Sequence, residues 1–408
     1  MLSSLSIAIC ATVPLINGNS QLQKRTEEST EAPTEEPTDS QIVAQLKDDI
    51  KNKVENSDMS AAVYVVQNGE TLYDGGQGMA TKEVKNSSEA VYGVASITKQ
   101  FTAASILQLV ADKKIDLNDR LDKFFPKYKH GKEITISQLL SMRSGIPDYY
   151  VESVENEIYV KCDGTEDEIT IDKESTREEN IKAIRNLFLS QDLLFNPGEQ
   201  FYYSDSNYAL LAEIISQVSG MSYHEYIRKN IFEPLDMDTA AFIDDHDYKG
   251  LVTIASTDTE EFSFNYYNYG GLEYGCGDLL CSTHDLYKWY KGLFSGKILH
   301  AKEFEMMTIN HSKEGERGYG YGLSIGNSSP FTVYYHGGHI PSRYSIVYYI
   351  PECDYFEASL GNSHDETSQS VASNILDLFL KSKEEPKEST ESTEVTEADQ
   401  SSLDVGTH

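Results

Sequence analysis

Ile42, Leu46, Ile50 and Val54 recur every four residues, the spacing of one apolar face on an α-helix. The pattern then changes period. Ala61 to Val66, an Asn68-Gly69 pair and Thr71 to Tyr73 predict a β-hairpin with a two-residue turn. A strand-like run from Val91 to Ala95 gives way at Ser96 to an Ile-, Leu- and Ala-rich run ending at Ala111, which predicts a long helix. Asn207 to Gly220 reads as a second amphipathic helix, stopped by its glycine. Glu316 to Ile350 reads as strands separated by the turn Asn327-Ser328-Ser329-Pro330. Residues 152–180 are acidic, lack helical periodicity and are taken as an insertion. No internal repeat is visible. A helix and hairpin, then a helical block, then strands predict an α+β fold over residues 41–382. That fold is an antiparallel sheet flanked by helices, with an inserted, mostly helical subdomain.

Charge and composition narrow the class. The chain has 408 residues and a formal net charge of −32, which excludes a nucleic-acid binder. Residues 26–40 and 384–408 hold fourteen acidic side chains against Lys387, and supply −13 of that charge. These Glu/Thr/Ser/Pro mixtures lack apolar periodicity, so residues 20–40 and 383–408 are expected to be disordered. Residues 2–16 form a short apolar run before Asn17-Gly18-Asn19-Ser20, as in a secretory signal peptide over residues 1–19. The run is too short to span a bilayer comfortably, and no other membrane span is expected. Lys24-Arg25 offers a dibasic processing site. Export would leave Cys162, Cys276, Cys281 and Cys353, and four cysteines in a secreted chain predict two disulfides with three possible pairings. Asn86, Asn310 and Asn327 head N-glycosylation sequons, which matter for an exported eukaryotic protein.

The candidate chemistry starts at Ser96-Ile97-Thr98-Lys99, the single Ser-x-x-Lys of the chain. Residues at i and i+3 share a helix face, so the Lys99 amine can reach the Ser96 hydroxyl. The helix N-terminus adds partial positive charge and free N–H groups beside that hydroxyl. This is the arrangement of a Ser–Lys hydrolase. A competing serine, Ser324 in Gly322-Leu323-Ser324-Ile325-Gly326, matches a hydrolase elbow in sequence. That elbow needs a following helix, whereas a turn and another strand follow here, so Ser324 reads as a strand residue. The cysteine spacing fits no zinc pattern.

Two later segments extend the set: Tyr203-Ser204-Asp205, and Tyr335-His336-Gly337-Gly338-His339. With Ser96-x-x-Lys99 their order resembles the serine β-lactamase and penicillin-binding-protein superfamily, nearest its class C β-lactamase-like hydrolases. Ile134 to Tyr149, Pro197 to Phe201 and Leu279 to Leu299 resemble flanking segments of that family. The resemblance implies Ser96 as nucleophile, with Lys99 and Tyr203 as candidate bases. It also implies an oxyanion hole at the Ser96 and His339 backbone N–H groups. Asp205 departs from the usual asparagine. It is expected to pair with Lys99 and favour Tyr203 as base, to cap the following helix, or both. His336 and Gly337 stand where relatives carry lysine and a hydroxyl residue to grip a substrate carboxylate. That makes His336 a weaker anchor, gaining charge below about pH 6.5. Gly338 would let the strand approach the substrate closely. The expectation is a secreted serine hydrolase acting on an ester or amide of a small or peptide-like substrate, without metal or cofactor. The alternative is a catalytically inactive binding or scaffold protein on the same fold.

Overall fold

The computed structural model of the chain describes residues 38–154, 157–245, 253 and 269–383. The expected signal peptide, nearly all of the acidic N-terminal segment and the acidic tail lie outside the described residues. The first helix begins earlier than its apolar repeat suggests. It spans Asp39–Glu55, with Thr38 and Gln41 forming a reciprocal capping box. The strands in chain order are β1 Ala61–Gln67, β2 Glu70–Gln77, β3 Tyr92–Gly93, β4 Tyr149–Val154, β5 Glu157–Cys162, β6 Glu168–Ile171, β7 Ala241–Phe242, β8 Leu279–Cys281, β9 Ser324–Ser328, β10 Phe331–Ile340, β11 Arg343–Ile350 and β12 Tyr355–Gly361.

The main sheet has the order β2-β1-β12-β11-β10-β9, and every neighbour pair is antiparallel. The β1–β2 hairpin turns at Asn68 and Gly69, both at positive φ (49° and 76°), as a two-residue hairpin turn requires. β12 lies between β1 and β11, so the two ends of the domain close one sheet. One face is covered by the helices Asp39–Glu55 and Thr367–Ser382, whose Ile50, Val54, Ile375 and Phe379 pack with Val63, Val65 and Ile350. On the other face lie the helices Thr98–Ala111 and Thr283–Phe294.

The helix Thr98–Ala111 is buried on nearly every side, so its polar groups are satisfied internally. Gln100 accepts from Trp289 Nε1 and donates to the Tyr290 hydroxyl, both at 2.8 Å. Thr102 donates to the Gly275 carbonyl at 2.7 Å. This central helix is the rigid base of the site.

Two expectations are corrected, and the inserted region gains a sheet beside its helices. β4, β5 and β6 form an antiparallel meander there, with Ile158, Val160 and Cys162 facing inward. The helix Arg177–Ser190 follows, capped by Thr176. Ile158, Val160 and Cys162 alternate with Glu157, Tyr159 and Lys161, the period-2 pattern of a half-buried strand. The two disulfides are absent: Cys162, Cys276, Cys281 and Cys353 are all free. The first three are buried as small core side chains, and Cys353 is half-buried. Asn86 is no glycan acceptor in the folded chain. It is buried, donates to Ser60 Oγ at 2.9 Å and the Gln77 carbonyl at 2.8 Å, and accepts from Tyr92 at 2.8 Å. Asn310 and Asn327 are exposed.

Candidate active site

β3 ends at Gly93, and the chain enters a 3-10 turn, Ala95–Ile97, before the helix begins at Thr98. Ala95 sits at φ 49°, a left-handed conformation that costs a residue with a Cβ about 1–2 kcal/mol. The surroundings hold it there. Val94 N–H donates to the Leu279 carbonyl at 3.0 Å, and its own carbonyl accepts from Ser345 Oγ at 2.8 Å. β10 presses on the same turn through Gly338. A Cβ at that position would lie 2.4 Å from both the Val94 carbonyl oxygen and Ser345 Oγ. The result is a strained turn that presents Ser96, partly exposed, at the start of a buried helix.

Lys99 is fully buried and donates to Ser96 Oγ at 2.9 Å and to the Cys276 carbonyl at 2.8 Å. Asp205 Oδ1 faces the ammonium at 2.7 Å, an ion pair rather than an aligned hydrogen bond. Burial pulls the Lys99 pKa down, but the Asp205 carboxylate outweighs it and holds the group above the ordinary lysine range. Lys99 is therefore an ammonium at neutral pH and is not available as a base. Asp205 is the first residue of the helix Asp205–Ser219, where a negative charge suits the helix dipole, and Ser204 occupies the cap position. The N–H of Asp205 is taken by Asp148 Oδ1 at 2.6 Å. Burial and the nearby Asp205 charge raise the Asp148 carboxyl well above its ordinary range.

Tyr203 places its ring beneath the Lys99 ammonium, 5.0 Å from nitrogen to ring centroid. Two other rings surround it: Tyr319, edge-on at 6.4 Å, and His336 at 6.2 Å. His336 has no exposed surface. Its Nδ1 donates to the Gly337 carbonyl at 2.6 Å, and its Nε2 meets the Tyr319 hydroxyl at 3.3 Å. Burial, then the positive charges of Lys99 and Arg317, push its pKa down to about 3. The expected pH-dependent carboxylate anchor is thus corrected: the ring stays neutral and both its nitrogens are engaged within the protein. Gly337 is part of β10 and faces the helix Thr367–Ser382, where a Cβ would lie 3.5 Å from Gln369 Nε2, and His339 is exposed, stacked on Tyr344 at 4.3 Å.

Lys99 therefore contacts both Ser96 and Asp205 and sits over the Tyr203 ring, with His336 behind that ring. Ser324 stands apart as a buried β9 residue that accepts from Arg317 Nη2 at 2.6 Å. Sequence reasoning missed Asp148, the Cys276 carbonyl and Tyr319. Asp148 lies at the end of a family-like segment, and Tyr319 stands in the alternation Gly318-Tyr319-Gly320-Tyr321-Gly322. The tyrosine-rich stretch 265–275 is described from Tyr269 onward, and there it is a packed turn delivering the Cys276 carbonyl to Lys99. Among the described residues, the atoms of Asp205, Glu273 and Cys276 lie within 4.8 Å of one another, a grouping able to hold a cation. The Lys99 ammonium already faces Asp205 in that group. No helix among the described residues is long and apolar enough to cross a membrane.

A family model described as Beta-lactamase matches residues 46–378. Protein flp of Staphylococcus aureus (strain NCTC 8325 / PS 47) is 27% identical over 323 residues, covering 75% of this chain and 60% of that protein. The chain thus spans about 60% of the length of the curated relatives it first matches. An octameric penicillin-binding protein homologue from Pyrococcus abyssi superposes with a TM-score of 0.66 at 29% identity, over 83% of this chain and 77% of that one. A D-amino acid amidase from Ochrobactrum anthropi SV3 superposes with a TM-score of 0.65 at 22% identity, over 84% and 97%. The latter likeness is one of fold.

Proposed function

From the premise that this chain belongs to the beta-lactamase family, we propose that it is a serine hydrolase that opens an ester or amide through a Ser96 acyl-enzyme. The observation that carries this reading is the buried Lys99 ammonium 2.9 Å from Ser96 Oγ. Its charge stabilises the oxygen as it becomes anionic. Because Asp205 keeps Lys99 protonated, the Ser96 proton is assigned to Tyr203, whose ring lies 5.0 Å from the Lys99 ammonium. The Ser96 oxygen then bonds to the carbonyl carbon. The alcohol or amine leaves with the proton from Tyr203; a water then gives a proton to Tyr203 and bonds to the acyl carbon, the Ser96 Oγ–acyl bond breaks, and Ser96 takes that proton back as the acid departs. The N–H groups of Ser96 and His339 are assigned to the oxyanion.

Amides of amino acids, the class named for one structural neighbour, and simple acyl esters are the proposed substrates. Substrates bearing a carboxylate beside the reacting carbonyl are disfavoured, because His336 is neutral and Gly337 has no hydroxyl. Intact-mass labelling with a fluorophosphonate tests the reading. The wild-type chain is expected to gain one adduct at Ser96, and Ser96→Ala none. A folded wild-type chain that takes no label and cleaves no ester or D-amino-acid amide would instead support the non-catalytic alternative, which the Asp205 departure favours. Export is proposed on the apolar run 2–16, and N-terminal sequencing of protein from the medium tests it.

A further inference from the structure

His336 and Tyr319 are both fully buried, so neither can contact a bulky substrate, yet their rings lie 6.0 Å apart beside Tyr203. The proton on the imidazole can be placed. A carbonyl oxygen can only accept, so the 2.6 Å contact to Gly337 puts a proton on His336 Nδ1. The ring is neutral, so Nε2 is bare and faces the Tyr319 hydroxyl at 3.3 Å, a hydroxyl that also meets Tyr208.

Tyr319 itself is seated by close backbone approach. Gly322 abuts the Lys99 carbonyl, where a Cβ would come within 2.6 Å, and Gly320 abuts the Met307 carbonyl, where one would come within 2.3 Å. The segment carrying Tyr319 is thus packed directly onto the turn of helix that carries Lys99.

The other end of the chain of contacts is the edge of β10. β9 pairs with β10 only through Phe331–Tyr335, so among the described residues His336–Ile340 has β11 on one side and no strand on the other. Gly338 from this stretch meets the Val94–Ala95 turn. In an extended strand the N–H and C=O of one residue point to the same edge, and the edge alternates with each residue. The Gly337 carbonyl and the His339 N–H therefore share an edge, and what orients one orients the other.

We propose that Tyr319 and His336 are a positioning pair for the oxyanion side of the site. The tyrosine hydroxyl abuts the bare Nε2 of the imidazole, and the imidazole Nδ1–H holds the Gly337 peptide, and with it the strand edge carrying the His339 N–H. His336 is then a strut inside the protein rather than a partner for substrate charge. The proposal rests on the Ser96 acyl-enzyme reading.

Two measurements test it. Long-range proton–nitrogen NMR of histidine-labelled protein reports the His336 tautomer without any turnover. A ring protonated at Nδ1 supports the pair, and one protonated at Nε2 overturns it. The second measurement is steady-state hydrolysis of a p-nitrophenyl acyl ester. His336→Asn keeps a donor near the Nδ1 position, whereas His336→Gln places its amide near Nε2. We expect His336→Gln to lower kcat about ten-fold, the scale of one neutral hydrogen bond, with KM unchanged, and His336→Asn to recover most of that loss. Tyr319→Phe, which removes one oxygen and keeps the ring, is expected to lower kcat several-fold at unchanged KM. His336→Gln and Tyr319→Phe at wild-type kcat, or a loss in His336→Asn equal to that in His336→Gln, would overturn the proposal. Fluorophosphonate labelling separates the two readings. Variants that label fully but slowly leave the nucleophile intact, whereas a wild-type chain that never labels indicts Ser96 itself.

Discussion

Asp205→Asn removes the counter-charge of a buried cation and leaves the side-chain shape unchanged. The two groups are 2.7 Å apart, with side-chain exposures of 0% for Lys99 and 22% for Asp205. At an effective dielectric constant of about 20, unit charges at that separation attract by about 6 kcal/mol, equivalent to about 4.5 pKa units. In the wild-type chain Asp205 outweighs the desolvation of Lys99, so the folded pKa lies above the unfolded one. The pair's contribution to stability is therefore complete below the unfolded lysine pKa near 10.4. It is lost only as pH rises through the higher folded value. In the variant the lowering effect of burial is left to dominate, so Lys99 falls below its ordinary value. The cost near pH 6 is expected to be about 3–5 kcal/mol, the scale for stranding one buried charge. It should shrink as pH rises and the amine loses its proton, so the Tm gap between the two proteins narrows from pH 6 to pH 10. The same titration should appear in kcat/KM for an acyl ester as a falling limb between about pH 6 and 9 that the wild-type chain lacks. Scanning calorimetry and a pH–rate profile on both proteins provide the assay. An Asp205→Asn protein with the wild-type Tm at pH 6 and a profile of wild-type shape would refute the reasoning.

Three further outcomes follow from the geometry. Gly338→Ala should damage both Tm and ester hydrolysis, because its Cβ would meet Val94 and Ser345 at 2.4 Å, whereas Gly337→Ala meets nothing nearer than 3.5 Å and should fold normally; equal Tm losses in a thermal melt would contradict this. With His336 neutral down to about pH 3, the rate ratio of benzylpenicillin to an uncharged acyl ester should be low and flat from pH 5 to 8. A ratio that climbs below pH 6.5 would show that His336 titrates there. Five thiols should react with Ellman's reagent per unfolded, unreduced full-length chain, or four once Cys10 has left with the signal segment, few of them before unfolding, since three are buried; a mass lower by four hydrogens would restore the disulfides.

Local pattern alone determined a good deal of this protein. The four-residue recurrence from Ile42 to Val54, the Asn68-Gly69 turn and the Gly220 stop all correspond to observed elements, because periodicity and turn conformation are decided by near neighbours in the chain. The reach of Lys99 to Ser96 is equally local, one helical turn apart. What those groups do chemically was not legible. The charge state of Lys99 depends on its complete burial and on the Asp205 carboxylate, and that of His336 on complete burial beside two cations. The free cysteines and the buried Asn86 differ from their motifs for the same reason, since a motif carries no information about which atoms will surround it. The inward row of Ile158, Val160 and Cys162 in the meander β4–β6 acquires meaning only against the core it covers. Desolvation and charge coupling sum over everything nearby in space, so only the tertiary structure could decide them.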